Sequence, residues 1–171
     1  MVIIRSEQDR RLIKSLSKKS KKKKINVYFN KKSKTGKSKY ITGKFYSKKN
    51  EDYYEYKSSY ELAYFMQLEA NDEVINFMYE PFEIAYIDSN NSRRMYRPDL
   101  LILYKSGLVL IAEIKPEAML GDYDVQAKAS AARVYIKDHY KNIKIEYKFI
   151  TEKMLFKDTK AYTDFLKEIK K

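Results

Sequence analysis

The sequence has no cysteine, one histidine, four glycines and three prolines among its 171 residues. The absence of cysteine excludes disulfide frameworks, thiolate zinc sites and cysteine nucleophiles. One histidine cannot form a multi-histidine metal site, and so little glycine and proline excludes collagen-like and low-complexity chains. No apolar run reaches the roughly 18 residues that a membrane span needs, so none is predicted. No apolar stretch follows the basic N-terminus, so no secretory signal is expected.

The composition that is present predicts one folded domain with a charged extension. Apolar residues make up 44% of the chain, including 17 tyrosines and 8 phenylalanines, which is enough for a sizeable core. Residues 1–49 hold 18 Lys and Arg against two acids, whereas residues 50–171 hold 18 Lys and Arg against 21 acids. We therefore predict a basic, partly flexible N-terminal arm over residues 1–49 and a slightly acidic domain over residues 50–171.

The arm is expected to bind a polyanion. Lysines that neutralise phosphates release counterions from nucleic acid, which favours binding. Aromatic residues interleaved with the lysines also favour nucleic acid as the partner. The alternatives are a solubilising or assembly tail and, less favoured, a membrane-surface segment. The candidate DNA-binding residues of the arm are Lys21, Lys22, Lys23, Lys24, Lys37 and Lys39.

Hydrophobic periodicity predicts an α/β fold. The predicted helices cover residues 1–17, 58–70 and 123–140, with a last helix capped by Asp158 or Thr159. The predicted strands cover residues 25–29, 74–79, 82–87, 96–104, 108–115 and 144–151. The helix over residues 58–70 begins with a capping box formed by Ser58 and Glu61. Residues 31–49 are predicted to be a loop.

Two of these strands form a hairpin that brings charged side chains together. Lys105–Gly107 is a three-residue loop with glycine third, a favoured hairpin connection. The register that follows from this loop places Asp99 opposite Glu113, and directly opposite residues have Cβ atoms about 4.5–5.5 Å apart. Lys115 lies two residues beyond Glu113 and therefore shares its face.

Two opposed carboxylates need compensation by a shared proton, a cation or a nearby lysine. A divalent cation is the economical answer, because Mg²⁺ is typically held by one or two carboxylates together with substrate phosphates. Lys115 beside such a metal would orient or deprotonate an attacking water. The alternative is an ordinary edge hairpin with three solvated charges.

Pro98-Asp99 and Glu113-Ile114-Lys115 resemble the motif of the PD-(D/E)xK nuclease superfamily. Further blocks extend the resemblance over roughly residues 33–155. These blocks are similar to the head completion nucleases of T-even-type tailed phages and to the N-terminal nuclease domain of the end-cleaving subunit of heteromeric cut-and-paste transposases.

The resemblance implies a restriction-endonuclease-like core with a central mixed β-sheet flanked by helices. It implies hydrolysis of DNA phosphodiesters with Mg²⁺, for which Mn²⁺ is an expected substitute. Asp99 and Glu113 match the metal-binding acids of the superfamily, and Lys115 matches the catalytic lysine. Glu61 matches a helix-borne acid that also binds metal, although its capping role alone explains a glutamate there.

The resulting hypothesis is a metal-dependent DNA endonuclease with a role in phage head completion and DNA-end processing. It would work in the cytoplasm of the host cell and be incorporated in the virion, with phage head or neck proteins as partners. The transposase subunit carries a further C-terminal domain, whereas about fifteen residues follow the last block here, which favours the phage role.

Two alternatives and one open question accompany this hypothesis. The first alternative is a transposon- or repair-type endonuclease. The second is a virion structural DNA-binding protein that retains the nuclease fold. On the long predicted helix, Gln126, Lys128 and Arg133 are either phosphate contacts beside the metal or part of a solvated face.

Overall fold

The computed structural model describes residues 41–169. The strands are β1 (Gly43–Ser47), β2 (Asp52–Tyr56), β3 (Val74–Tyr79), β4 (Ile84–Ile87), β5 (Arg93–Tyr96), β6 (Leu100–Tyr104), β7 (Val109–Ile114) and β8 (Ile145–Ile150). The helices are α1 (Ser59–Ala70), α2 (Tyr123–His139), α3 (Glu152–Leu155) and α4 (Thr159–Glu168), with a 3-10 turn at Glu117–Met119. The helix and strand predicted within residues 1–40, and the arm lysines from Lys21 to Lys39, lie outside the described residues.

A four-stranded mixed sheet is the centre of the fold. Its order is β3-β6-β7-β8, in which β7 and β8 are parallel and the other neighbours are antiparallel. Helix α2 provides the crossover that two parallel strands require. Alternate residues of β6 point to opposite faces: Ile102 packs in the same cluster as Phe65 of α1, whereas Leu101 packs with Ile136 of α2. The predicted α/β class with a central mixed sheet flanked by helices is confirmed.

The predicted hairpin between β6 and β7 is confirmed with its register. Gly107 has a φ of 83°, the left-handed conformation that its place in the loop requires. Its N–H donates to the Tyr104 carbonyl at 2.9 Å. Leu103 pairs with Val109, and the ladder continues to Leu100 opposite Ala112. One step further along the same register, Asp99 faces Glu113.

The prediction of one strand over residues 96–104 is wrong. Tyr96 ends β5, which pairs with β4 in a separate two-stranded sheet, and β6 begins only at Leu100. Pro98 explains the break, because proline lacks an N–H for a ladder and restricts the conformation of Arg97 before it. Asp99 therefore lies in a short connection at the end of the central sheet.

The predicted loop over residues 31–49 is also wrong in its last part. Gly43–Ser47 is strand β1, which pairs with β2 in register from Gly43 opposite Tyr56 to Ser47 opposite Asp52. The division of the chain at residue 49 thus falls in the turn of this hairpin. Tyr54 contacts the core, where its hydroxyl donates to the Phe77 carbonyl at 2.8 Å.

The helices predicted over residues 58–70 and 123–140 and the strands predicted over residues 74–79, 82–87, 108–115 and 144–151 agree with the structure apart from their exact ends. Strands β2 and β5 were not predicted. Asp158 caps α4 by accepting from the Ala161 N–H at 2.8 Å. The four-residue helix α3 and the 3-10 turn were not predicted. Within residues 41–169, no helix is long and apolar enough to cross a membrane.

Candidate active site

Asp99, Glu113 and Lys115 meet at the end of the β6–β7 hairpin, as the register predicted. The Ile114 N–H donates to Oδ2 of Asp99 at 2.6 Å, which fixes that carboxylate against β7. Glu113 is only 3% exposed, and its Oε1 lies 3.1 Å from Nζ of Lys115. The other oxygen, Oε2, is buried without a hydrogen-bond partner.

The protonation equilibria of these three groups are coupled through burial and charge. Burial raises the pKa of Glu113, and the negative charge of Asp99 raises it further. Burial also raises the pKa of Asp99, although Lys115 and the Ile114 N–H oppose the shift. Burial alone would lower the pKa of Lys115, but the two carboxylates outweigh it and the net shift is upward. The site therefore favours a protonated lysine and lacks positive charge for two ionised carboxylates.

The unpartnered Oε2 of Glu113 is the observation that tests the site for a metal. A buried carboxylate oxygen without a donor carries a desolvation penalty that a cation would remove. Asp99 and Glu113 supply the oxygen ligands that a hard divalent cation prefers, and such a cation commonly takes its other ligands from water and substrate phosphate. Within residues 41–169, no three His, Cys, Asp or Glu side chains are grouped closely enough to hold a metal. The residues thus fit a two-carboxylate site, and Glu61 as a third ligand stays a prediction.

Glu61 is at the start of α1, where Ser58 is confirmed as the N-cap, although the Glu61 carboxylate accepts from the Lys57 N–H and not from the Ser58 N–H that a capping box requires. Its N–H donates to Oγ of Ser58 at 3.1 Å. Its Oε2 accepts from the Lys57 N–H at 2.9 Å and from the Tyr79 hydroxyl at 3.3 Å. Burial raises the pKa of Glu61, and Asp99 contributes to the shift. Glu61 is therefore electrostatically coupled to the paired carboxylates.

Three neighbours of this site were missed by sequence reasoning: Lys57, Tyr79 and Glu80. The β3–β6 register places Tyr79 opposite Leu100, so Glu80 is next to Asp99 and donates its N–H to the Asp99 carbonyl at 3.0 Å. The available signal was an acid directly after an apolar strand. It required knowledge that this strand is the antiparallel neighbour of β6.

Helix α2 brings positive charge to the other side of the site. Nζ of Lys128 lies 5.4 Å from the ring centroid of Tyr86, and its charge opposes the upward pKa shift of Glu113. The Arg133 guanidinium lies 5.3 Å from the ring centroid of Tyr147. Gln126 is exposed at the start of the helix, where its amide donates to the Leu120 carbonyl. Contacts of these three residues with DNA stay predictions.

Comparison with known proteins supports a nuclease. No curated protein matches the chain. Residues 71–152 match the family described as TnsA-like endonuclease N terminal. The matched segment contains Asp99, Glu113, Lys115 and helix α2, whereas Glu61 lies before it. Residues 71–152 are therefore similar to the N-terminal domain of TnsA-like endonucleases, and the central mixed sheet is consistent with a restriction-endonuclease-like fold.

Proposed function

We propose that the protein is a divalent-metal-dependent DNA endonuclease that hydrolyses phosphodiester bonds at the ends of a mobile element. One observation carries the proposal: a buried Glu113 with an unpartnered oxygen faces Asp99 beside Lys115, inside a segment similar to an endonuclease domain. A buried pair of like charges destabilises a fold. Its presence at the end of the sheet is accounted for by a cation-binding role.

The residues have distinct roles in this proposal. Asp99 and Glu113 hold the cation, for which Mg²⁺ or Mn²⁺ is expected. A divalent cation bound there supplies positive charge at the phosphoryl group and lowers the pKa of a bound water. Without a bound cation, the two carboxylates raise the pKa of Lys115. Beside a cation that neutralises these carboxylates, Lys115 would orient the attacking water or take a proton from it.

The flanking groups position the DNA. Lys128 and Arg133 on α2 contact backbone phosphates, with Gln126 at the start of the same helix. Glu61 orders the opposite side through its contacts with Lys57 and Tyr79. The lysines of residues 1–49 add sequence-independent affinity, since contacts to phosphates carry no base information.

The family comparison favours the transposon-type role over the phage role. The matched family is that of TnsA-like endonucleases, and this supports the alternative reading of the sequence better than the first one. Head completion, head or neck partners and a place in the virion stay predictions without support from the comparison. We place the activity in the cytoplasm, where the DNA substrate is.

A nicking assay on supercoiled plasmid tests the proposed activity. We expect Mg²⁺ or Mn²⁺ to support cleavage by the full chain and EDTA to abolish it. Asp99→Ala should abolish cleavage while the protein still folds. Lys115→Ala should retain DNA binding but lose about 10²–10⁴-fold in rate, the usual size of such assistance.

The matched control is Asp164→Asn, which removes one acid from the exposed face of α4. This variant should cut as fast as the wild type. Retention of full cleavage by Asp99→Ala, or cleavage that survives EDTA, would exclude the proposed mechanism.

A further inference from the structure

The Glu80 carboxylate lies between two cations at the edge of the candidate site. Its Oε1 is 2.5 Å from Nζ of Lys57, and its Oε2 is 3.8 Å from the Arg97 guanidinium. Arg97 is also anchored by Glu83 at 2.8 Å. Lysine and arginine donors converging on one anion also suit a phosphate, because both anions accept hydrogen bonds through paired oxygens.

The ion pair of Lys57 with Glu80 lies next to the paired carboxylates of Asp99 and Glu113. The Glu80 N–H donates to the Asp99 carbonyl at 3.0 Å, and the Lys57 N–H donates to Glu61 at 2.9 Å. The backbones of Glu80 and Lys57 are thus hydrogen-bonded to Asp99 and Glu61, two residues of the candidate site. An anion bound by Lys57 and Arg97 would lie beside the bond cleaved at Asp99 and Glu113.

Glu80 has a backbone conformation that is costly for a glutamate. Its φ is 45°, and Pro81 follows it. The left-handed region disfavours residues with a Cβ, and a following proline adds restriction. Such outliers concentrate at functional sites, where the surrounding structure holds them. Here the Asp99 carbonyl holds the backbone, and the conformation presents the carboxylate to Lys57.

We propose that Lys57 and Arg97 form a binding site for a backbone phosphate next to the cleaved bond, and that Glu80 fills this site in the DNA-free protein. The inference rests on the proposed endonuclease function. When DNA binds, the phosphate takes the place of the carboxylate. Glu80 thereby keeps the two cations ordered before the substrate arrives.

Exposure makes this exchange feasible. The side chains of Lys57 and Arg97 are 63% and 55% exposed, whereas Glu80 is 28% exposed. Exposed ion pairs contribute little free energy, so a phosphate competes with them readily. Both cations have long side chains that can follow the incoming phosphate. The carboxylate needs only a rotation of its own side chain, while its backbone stays bound to Asp99.

Binding of a short labelled DNA duplex to the full chain in EDTA tests the proposal. Removing the competing carboxylate in Glu80→Gln should tighten binding roughly two- to fivefold, as expected for an exposed ion pair. Lys57→Gln should weaken binding and reduce the slope of log affinity against log salt by about 0.9. In the double variant the gain from Glu80→Gln should vanish, since Lys57 is its main partner.

Asp164→Asn serves as the matched control, because it removes the same charge from a Lys160 ion pair on α4. Equal tightening by Asp164→Asn and Glu80→Gln would show a general charge effect and overturn the proposal. Unchanged or weaker binding by Glu80→Gln would also overturn it, provided circular dichroism shows a folded variant. If Glu80→Gln disrupts folding, the salt dependence of DNA binding by Lys57→Gln tests the proposal by itself. An unchanged slope of log affinity against log salt in that variant would exclude the phosphate site.

The outcome is separable from that of the proposed function. Loss of cleavage in Asp99→Ala with no effect of Glu80→Gln on binding would retain the endonuclease and reject this phosphate site. Cleavage that is independent of Asp99 would reject both.

Discussion

Glu113 is a single residue whose burial shapes both stability and chemistry. One carboxylate oxygen is paired with Lys115, and the other is buried without a partner. Burial and the charge of Asp99 raise its pKa, so the folded protein binds a proton there more tightly than the unfolded chain. Stability is therefore lost as pH rises from the ordinary carboxyl range through the folded pKa. A cation would reverse that loss.

Glu113→Gln should consequently stabilise the protein when no divalent cation is present. At pH 8 we expect a gain of about 1–3 kcal/mol in the free energy of unfolding, because the like-charge pair is removed. The gain should shrink below about pH 5, where the wild-type carboxyl is protonated in the folded state and increasingly so in the unfolded chain. Thermal unfolding across this pH range measures the effect.

Addition of Mn²⁺ completes this experiment. The ion should raise the melting temperature of the wild type and have little effect on Glu113→Gln, since ligands that bind the native state stabilise it. Equal melting temperatures for both proteins at pH 8, with and without Mn²⁺, would contradict the assignment of a cation to Glu113.

Residues such as Glu80 mark the limit of sequence reasoning at this scale. Asp99, Glu113 and Lys115 were predicted because one hairpin loop fixes their register. Glu80 approaches Asp99 through the pairing of β3 with β6, which no local pattern specifies. Lys57 is only four residues before Glu61, but its ion pair with Glu80 depends on the same long-range arrangement. Their contribution to the site depends on long-range contacts.

The start of α1 combines capping with the candidate chemistry of Glu61. Ser58 accepts from the Glu61 N–H, while the Glu61 carboxylate accepts from Lys57 and Tyr79. The Ser58 hydroxyl thus stabilises the start of α1, whereas the proposed chemistry would use the Glu61 carboxylate. These two requirements can be separated by substitution.

Ser58→Ala should lower the free energy of unfolding by about 1 kcal/mol, the usual cost of losing an N-cap. Plasmid cleavage below the melting temperature should stay near wild type. Glu61→Ala should abolish cleavage if its carboxylate acts in the reaction. Chemical denaturation and the nicking assay measure the two effects.

Asp158→Ala is the control for this pair, because it removes an N-cap from α4, outside the candidate site. It should cost a similar free energy and leave cleavage unchanged. Full cleavage by a folded Glu61→Ala variant would restrict Glu61 to capping.

The elements that sequence reasoning missed share a physical cause. Strands β1 and β2 are only five residues each and are rich in tyrosine, and their identity depends on pairing with each other and packing under α1. The strand predicted over residues 96–104 is interrupted by Arg97, Pro98 and Asp99, and Pro98 divides it between two sheets. Longer elements such as α2 carry enough periodicity to be predicted without such contacts.

The whole molecule has strongly divided charge. Residues 1–49 carry an excess of 16 positive charges, whereas residues 50–171 carry an excess of three negative charges. The folded domain alone is therefore expected to bind DNA poorly, despite the cations beside its candidate site. In our proposal, the basic residues of the N-terminal segment would supply affinity that the domain lacks.

Removal of residues 1–24 deletes ten Lys and Arg with Glu7 and Asp9. We expect weaker DNA binding, most clearly at low salt, and a shallower dependence of log affinity on log salt, by about 0.9 for each phosphate that the protein no longer neutralises. Cleavage at saturating DNA should change little. Fluorescence anisotropy at several salt concentrations measures the slope, and an unchanged slope would assign the segment to protein assembly.

The β1–β2 hairpin decides where this basic segment is attached. Gly43 of β1 lies opposite Tyr56 of β2. A Cβ added at Gly43 would lie 2.3 Å from the Tyr56 hydroxyl, so the Tyr56 side chain packs directly against the β1 backbone. Tyr56 immediately precedes Lys57, whose N–H donates to the Glu61 carboxylate and whose ammonium forms an ion pair with Glu80. The basic segment therefore joins the described domain close to the candidate site, and DNA bound by the segment would have a high effective concentration there. The same residues supplied as a separate peptide should not restore binding to the truncated protein.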